Sequence, residues 1–193
     1  MSDTESYFNK QDLKELMVTL KAHDIPCSRT SSNDIERAMT LKLNKYLYLY
    51  FYNNYQEKQY SVVFTPNMYR CHYLNSYTND ITKIIKIIKA NIHKKCIPFE
   101  NAKGQDRKMD IIVRETEEIL NELGIESEGS NYNNIYLQHG YRLKIVEKFG
   151  ICNFKLHCAY HNKYSIPEKN IIDVLEIGRI YKKIYENIEQ VCS

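Results

Sequence analysis

The sequence is poor in the residues that many functional motifs require. It contains 6 Gly, 4 Pro and no Trp among 193 residues. The chain therefore has few glycines from which a phosphate-binding, glycine-rich loop could be built. The phosphate-binding, dinucleotide-binding, nucleophile-elbow and zinc-protease motifs are all missing from the sequence. These absences argue against an enzyme, and we expect neither catalytic residues nor a cofactor.

Long apolar runs and close cysteine pairs are also missing. No apolar run reaches the ~18 residues of a membrane-spanning helix, and the N-terminus lacks the basic-then-apolar pattern of a signal peptide. The 6 cysteines are dispersed without a C-x-x-C pair, which is typical of reduced thiols inside the cell. The sequence therefore predicts a soluble, cytoplasmic protein with no membrane partner.

A metal site is not expected either. The densest group of potential ligands is Cys152, His157, Cys158 and His161. On a strand, His157 and Cys158 point to opposite faces, and His157 and His161 are ~13 Å apart. Because zinc ligands must lie within roughly 2.0–2.3 Å of one ion, these residues do not predict a zinc site.

Tyrosine and aliphatic residues are abundant. The chain has 17 Tyr, and hydrophobic residues make up 43% of it, which is enough for a packed core. The richness in Ile, Asn, Lys and Tyr is typical of low-GC coding and indicates a bacterial, viral or protist source, with a host-cell location if the source is viral. The net charge is only +3, so the whole chain is not the strongly basic module that bulk nucleic-acid binding predicts.

An eight-residue pattern occurs twice at a distance of 87 residues. Residues 71–78 (CHYLNSYT) and 158–165 (CAYHNKYS) share the form C-x-Y-x-N-x-Y followed by Thr or Ser. Leu120 to Ile125 also matches Leu20 to Ile25. The two matches predict an internal duplication. The motif either packs the core and sets the exit from strand to helix, or it contacts a ligand through Asn75, Asn162, Tyr77 and Tyr164 at the strand ends.

Hydrophobic periodicity predicts the same order of elements in each half. Helical spacing covers 10–22, 80–95, 110–123 and a stretch from about 165 to 189. Period-two strands are predicted at 39–43, 46–52, 59–73, 135–138, 141–148 and 151–161. We therefore predict an α+β fold of two tandem αβββα repeats, each a three-stranded antiparallel sheet with helices on one face.

The predicted repeats are separated by a stretch without periodicity. Residues 97–109 contain Pro98 and Gly104 and show neither helical nor strand spacing. The predicted organisation is a flexible tail at 1–8, repeat one at 9–96, a linker at 97–109 and repeat two at 110–193.

The strands of repeat two predict a basic outer face. Tyr141, Leu143 and Ile145 alternate with polar residues, as in a half-buried strand. The opposite face then carries Arg142, Lys144, Lys148, Lys155 and His157. This surface is either an ordinary solvated face, an anion or nucleic-acid surface, or a contact for an acidic protein.

Repeat one differs from repeat two on the corresponding face. With the same register, the Tyr46 to Tyr52 row faces the core and Leu47, Leu49 and Phe51 form an apolar outer row. Such a row is expected to be covered by the other repeat, a second copy of the chain or another protein. Alternatively the Leu row is the core and the tyrosines form an exposed aromatic row suited to stacking on bases.

Two binding functions follow from these surfaces. The first is a non-enzymatic protein that binds another protein or a second copy of itself through Leu47, Leu49 and Phe51, as an inhibitor, adaptor or chaperone-like factor or as an oligomer. The alternative is nucleic-acid binding by the basic face of repeat two and by the predicted 80–95 helix. That helix carries Lys83, Lys86 and Lys89 away from its Ile stripe.

Overall fold

A computed structural model of the chain describes residues 10–29, 38–54, 57–64, 72–101, 105–148, 150–158 and 171–192. The predicted tail at 1–8, Cys71 of the first motif and residues 159–165 of the second motif lie outside these ranges. In the described part the fold is α+β, with four helices and two antiparallel sheets. The chain divides into two compact units, Met1–His93 (unit one) and Lys94–Ser193 (unit two).

Unit one is a meander of strands with a helix at each end. It contains α1 (Lys10–Ala22), β1 (Ser28–Arg29), β2 (Ala38–Lys42), β3 (Leu47–Asn54), β4 (Glu57–Phe64), β5 (His72–Tyr73) and α2 (Ile81–Asn91). The strands form one antiparallel sheet in chain order. The strand at 59–73, for which the sequence predicts a break or bulge at Pro66, is observed as two strands, because β5 pairs antiparallel with the end of β4.

Unit two repeats the plan with one strand fewer. It contains α3 (Met109–Asn121), β6 (Ser127–Asn131), β7 (Asn134–Leu137), β8 (Tyr141–Lys148), β9 (Ile151–Cys158) and α4 (Val174–Cys192), with a short 3-10 turn at Gln138–Gly140. The sheet order is β6-β7-β8-β9. None of the helices in the described residues is long and apolar enough to cross a membrane.

The predicted three-stranded layout is not what either sheet shows, since the sheets have 5 and 4 strands. Strand β6 lies between the predicted 110–123 helix and the predicted 135–138 strand, where no strand was predicted. It is an edge strand of Ser, Glu, Gly and Asn that is almost entirely exposed. Because it has no apolar residue at every second position, hydrophobic periodicity does not predict it. Strands β1 and β5 have 2 residues each, which is too short for periodicity.

Helices α1 and α3 end in the same way. The predicted bounds of α1 are confirmed, and the predicted 110–123 helix is α3. The Ile25 N–H donates to the Leu20 carbonyl at 3.0 Å, and the Ile125 N–H donates to the Leu120 carbonyl at 3.1 Å. The intervening residue has positive φ in both cases, at Asp24 and Gly124. This bond from the residue after a left-handed cap defines a Schellman ending. The matched endings are compatible with the internal duplication, which stays a prediction.

The core of unit one lies on both faces of strand β3. Leu47 and Leu49 are 0% exposed and Phe51 is 1% exposed, while Tyr48 and Tyr50 are 8% and 2% exposed. Tyr48 and Tyr50 belong to a separate buried cluster with Val63 of β4. Strand β3 is the third of five strands. When a strand is covered on both faces, its residues do not alternate between buried and exposed positions. The predicted burial of Tyr46, Tyr48 and Tyr50 is therefore confirmed, whereas the prediction that Leu47, Leu49 and Phe51 form an outer row is wrong.

The core of unit two lies on one face of its sheet, as the alternation predicts. Tyr141, Leu143 and Ile145 of β8 are buried, whereas Arg142 and Lys148 are exposed. The same side is completed by residues of β7, β9, α3 and α4, among them Ile135, Leu137, Phe154, Leu156, Ile112, Leu120 and Ile177. On the opposite face, Arg142 and Lys155 are exposed, whereas Ile151 and Asn153 at the start of β9 are buried.

Part of the predicted linker is built into unit two. The Cys152 N–H donates to the Ile97 carbonyl at 2.9 Å, and the Phe99 N–H donates to the Gly150 carbonyl at 2.9 Å. The Phe154 N–H donates to the Ile171 carbonyl at 2.8 Å. These bonds cover the outer edge of β9, which would otherwise be open to pairing with another strand.

Two buried polar contacts hold these covering segments. Asp173 accepts the Lys95 N–H at 2.9 Å and the Leu175 N–H at 3.1 Å. Arg107 donates to Glu115 of α3 at 2.6 Å and to the Pro98 carbonyl at 2.9 Å. These contacts give residues 97–99 and Arg107 a structural role in unit two. The absence of hydrophobic periodicity in the sequence of this stretch does not indicate such a role.

Candidate functional site

The outer face of the unit two sheet carries a group of cationic side chains, which we call the basic face (Arg142, Lys144, Lys148, Lys155 and His157). Strand register sets the group in rows. Arg142 lies opposite His157, and Lys144 lies opposite Lys155 on the neighbouring strand. Directly opposed residues have Cβ atoms roughly 4.5–5.5 Å apart. The fold thus places two lysines side by side, a cross-strand arrangement of like charges that is destabilising.

Three cations of the basic face, Arg142, Lys144 and Lys155, have no carboxylate partner among the described residues. Unit two as a whole contains 15 Lys and Arg against 15 Asp and Glu, so its net charge is zero. The outward positions of β7, β8 and β9 contain no Asp or Glu. Among the described residues, none forms an ion pair with Arg142, Lys144 or Lys155. The positive charge of these residues is therefore concentrated on one face of a unit whose net charge is zero.

The pKa of His157 is affected by the positive charges of this face. Its side chain is half-buried, and its Nε2 atom is buried without a hydrogen-bond partner among the described residues. Burial lowers the pKa of His157 below its ordinary value of 6.5, and the nearby charges of Arg142, Lys144 and Lys155 lower it further. Both effects disfavour the protonated imidazole, so His157 is held towards its neutral form.

Strand β7 adds Tyr136 and Asn134 to the same face. Tyr136 is opposite Arg142, and Asn134 is opposite Lys144. The Asn134 side chain donates to the Asn133 side chain at 3.0 Å, while its own Oδ1 is buried with no partner among the described residues. Sequence reasoning missed both residues, although the alternation of Ile135, Tyr136 and Leu137 already points Tyr136 outward.

The other cations predicted from the sequence lie at the end of β8 and on α2. Lys148 is exposed at the end of β8, where its carbonyl accepts from Asn153 at 3.5 Å. Lys83, Lys86 and Lys89 are exposed on α2, so they belong to unit one and not to the basic face of unit two. The sequence-predicted nucleic-acid residues therefore fall into two groups, one in each unit.

The apolar row predicted as a protein interface lies inside the chain. Leu47, Leu49 and Phe51 are opposite Phe64, Val62 and Tyr60 of β4, and the rings of Phe51 and Tyr60 stack with centroids 5.1 Å apart. With at most 1% of each side chain exposed, the row has no surface to offer a partner in this structure.

Asn75 of the repeated motif supports the sheet of unit one. Its Oδ1 accepts the Val62 N–H at 2.8 Å, and its Nδ2 donates to the Tyr60 carbonyl at 3.3 Å. The side chain thus replaces a strand in pairing with β4. Tyr77 is partly exposed, with its ring 6.1 Å from that of Tyr73. These contacts favour the supporting role for Asn75; Asn162 and Tyr164 of the second copy lie outside the described residues.

Two of the described cysteines, Cys96 and Cys152, are poorly placed for reactive chemistry. Cys27, Cys96, Cys152 and Cys158 are free thiols, of which Cys96 and Cys152 are buried. Burial raises the pKa of Cys152 to about 12 and also raises that of Cys96, so the nucleophilic thiolate is disfavoured. No group of three or more His, Cys, Asp or Glu within the described ranges is arranged to hold a metal ion.

Comparison with protein-family models, with curated proteins and with solved structures found no match for this chain.

Proposed function

We propose that the chain is a non-enzymatic macromolecule-binding protein that binds nucleic acid through the basic face of unit two. The observation that carries the proposal is the opposed pair Lys144 and Lys155 beside Arg142, with no ion pair to a described residue. Opposed like charges cost stability in the unbound protein. A bound row of phosphates relieves that repulsion and gains the entropy of released counterions.

The character of the face favours a polyanion over a protein partner. Protein interfaces have an apolar core surrounded by a polar rim, and charged residues are depleted in that core. On the basic face, the outward side chains of β8 are Arg142, Lys144, Val146 and Lys148, of which only Val146 is apolar. The burial of Leu47, Leu49 and Phe51 also removes the main support for a protein interface on unit one. An acidic protein is the competing occupant that the experiment must separate.

The direct test is binding of labelled 20-nucleotide RNA and DNA, followed by fluorescence anisotropy between 50 and 200 mM salt. We expect binding that weakens steeply as salt rises. The combined variant Arg142→Gln, Lys144→Gln, Lys155→Gln should lower the slope of log affinity against log salt by roughly 2–3, since each phosphate contact contributes ~0.7–0.9.

A matched control keeps the same change in total charge. Lys108, Arg114 and Lys183 are exposed cations of unit two outside the basic face. Changing all three to Gln should leave both affinity and salt slope close to those of the parent. Equal weakening by the control variant, or no binding of any nucleic acid at 50 mM salt, contradicts the proposal.

A competition experiment separates nucleic acid from an acidic protein. Poly-glutamate presents carboxylates without phosphates or bases, so it should displace labelled RNA only weakly at equal charge concentration. Displacement as efficient as that by unlabelled RNA would favour an acidic protein partner instead. The variant Lys83→Gln, Lys86→Gln, Lys89→Gln reports separately on any contribution of α2.

A further inference from the structure

We infer that the basic face takes single-stranded nucleic acid and that the ring of Tyr136 is its stacking surface for a base. The inference rests on the proposed function and adds the class of nucleic acid. Tyr136 belongs to the basic-face side of the sheet because its neighbours Ile135 and Leu137 are buried on the other side and because it pairs with Arg142. Its side chain is 36% exposed.

The Tyr136 side chain is partly exposed, whereas the other described tyrosines of the unit two sheet and α4 pack against one another. Tyr141, Tyr181 and Tyr185 pack together, with centroids 5.6 Å apart for Tyr141 and Tyr181 and 6.2 Å apart for Tyr181 and Tyr185. In the described part of the chain, Tyr136 has neither an aromatic contact nor a hydrogen-bond partner for its hydroxyl. A partly exposed aromatic ring beside cationic side chains is the arrangement used to stack bases.

The positions of the side chains match a single strand. Tyr136, Arg142 and His157 form one row across three strands, and Asn134, Lys144 and Lys155 form the next. Neighbouring strands are about 4.8 Å apart, and successive rows are separated by two residues, or roughly 7 Å. A base stacked on Tyr136 therefore has its phosphates within reach of Arg142 and Lys144.

A duplex cannot use Tyr136 in this way. Its bases are stacked on one another and paired, so an aromatic side chain on a sheet reaches their faces only if they are splayed out. Single strands offer unstacked bases together with phosphates, which engage the aromatic ring and the cations at once.

The test compares Tyr136→Leu and Tyr136→Phe in the full chain, with single-stranded RNA, single-stranded DNA and duplex DNA at one salt concentration. Leucine keeps apolar bulk on the strand but has no ring, so single-strand affinity should fall about 5- to 150-fold, the range for losing one stacked base. Phenylalanine should stay close to the parent. Neither variant should change duplex binding, and neither should change the salt slope, because Tyr136 contacts no phosphate.

Tyr132 provides the control on the same hairpin. It is 81% exposed in the turn between β6 and β7, so Tyr132→Leu should leave affinity unchanged. The inference is overturned if Tyr136→Leu binds single strands like the parent, if Tyr132→Leu weakens binding equally, or if duplex binds as tightly as single strands. In each of these cases loss of binding in the Arg142, Lys144, Lys155 variant still supports the proposed function. Failure of the parent to bind any nucleic acid overturns both.

Discussion

At the residue scale, His157 shows how a position on a strand determines chemistry. A histidine in water titrates near 6.5, but burial and the charges of Arg142, Lys144 and Lys155 lower the pKa of this one. The unfolded chain therefore takes up the proton first as the pH falls. The stability contributed by neutral His157 is fully present above pH 6.5 and is lost as the pH falls through the lower, folded pKa.

We predict that His157→Gln makes the protein less sensitive to acid. The parent should lose free energy of unfolding as the pH falls from about 7.5 to 5, the range in which histidines titrate, and the variant should lose less. Urea unfolding at a series of pH values measures the difference. His93→Gln, at an exposed histidine of unit one, is the control and should follow the parent. A parallel pH dependence for His157→Gln and the parent would contradict the assignment.

At the element scale, the packing of α4 on α3 depends on one glycine. A Cβ atom at Gly178 would lie 2.6 Å from Leu123 Cδ1, 3.2 Å from Leu120 Cδ2 and 3.3 Å from Ile125 Cδ1. Leu120 and Ile125 are buried, so they have little freedom to move. Glycine inside a helix costs roughly 0.5–1 kcal/mol relative to alanine, and here the close approach of the two helices accounts for its use.

We predict that Gly178→Leu destabilises unit two by about 1–3 kcal/mol, the usual cost of overpacking. The adjacent exposed position provides the control, since Arg179→Leu adds the same side chain where there is space and should change stability by about 0.5 kcal/mol or less. Chemical denaturation of both variants gives the two free energies. Equal stability of the two variants would mean that α3 and α4 do not pack as described.

At the scale of the whole molecule, each unit has its own sheet and its own core. Leu49 is at the centre of the first core and Phe154 is in the second, both 0% exposed. Chains with separate cooperative units depart from two-state unfolding. We expect calorimetry to show two thermal transitions, one from each unit.

Core truncation in each unit should identify the transitions. Leu49→Ala should cost about 2–5 kcal/mol and Phe154→Ala about 3–5 kcal/mol, and each should shift a different transition. Val18→Ala, at a position of α1 that is largely exposed, should shift neither. A single transition that moves with both core variants would show that the units unfold together.

Several features of this chain follow from local sequence. The bounds of α1, the Ile stripe of α2 and the inward row of β8 are periodic patterns, and a helix or a half-buried strand repeats its environment every few residues. The segregation of Arg142 and Lys144 from the core face could also be predicted, because β8 alternates between buried and more exposed residues.

Other features were decided only by tertiary structure. Nothing in the alternation of Leu and Tyr along β3 indicates that both rows are buried, because burial of a central strand depends on what covers each face. Residues 97–99 look like a linker but complete the edge of β9, and the pairing of Tyr136 with Arg142 depends on the register of β7. Patterns within one element are local and can be read from the chain, whereas strand register and coverage depend on residues far apart in sequence.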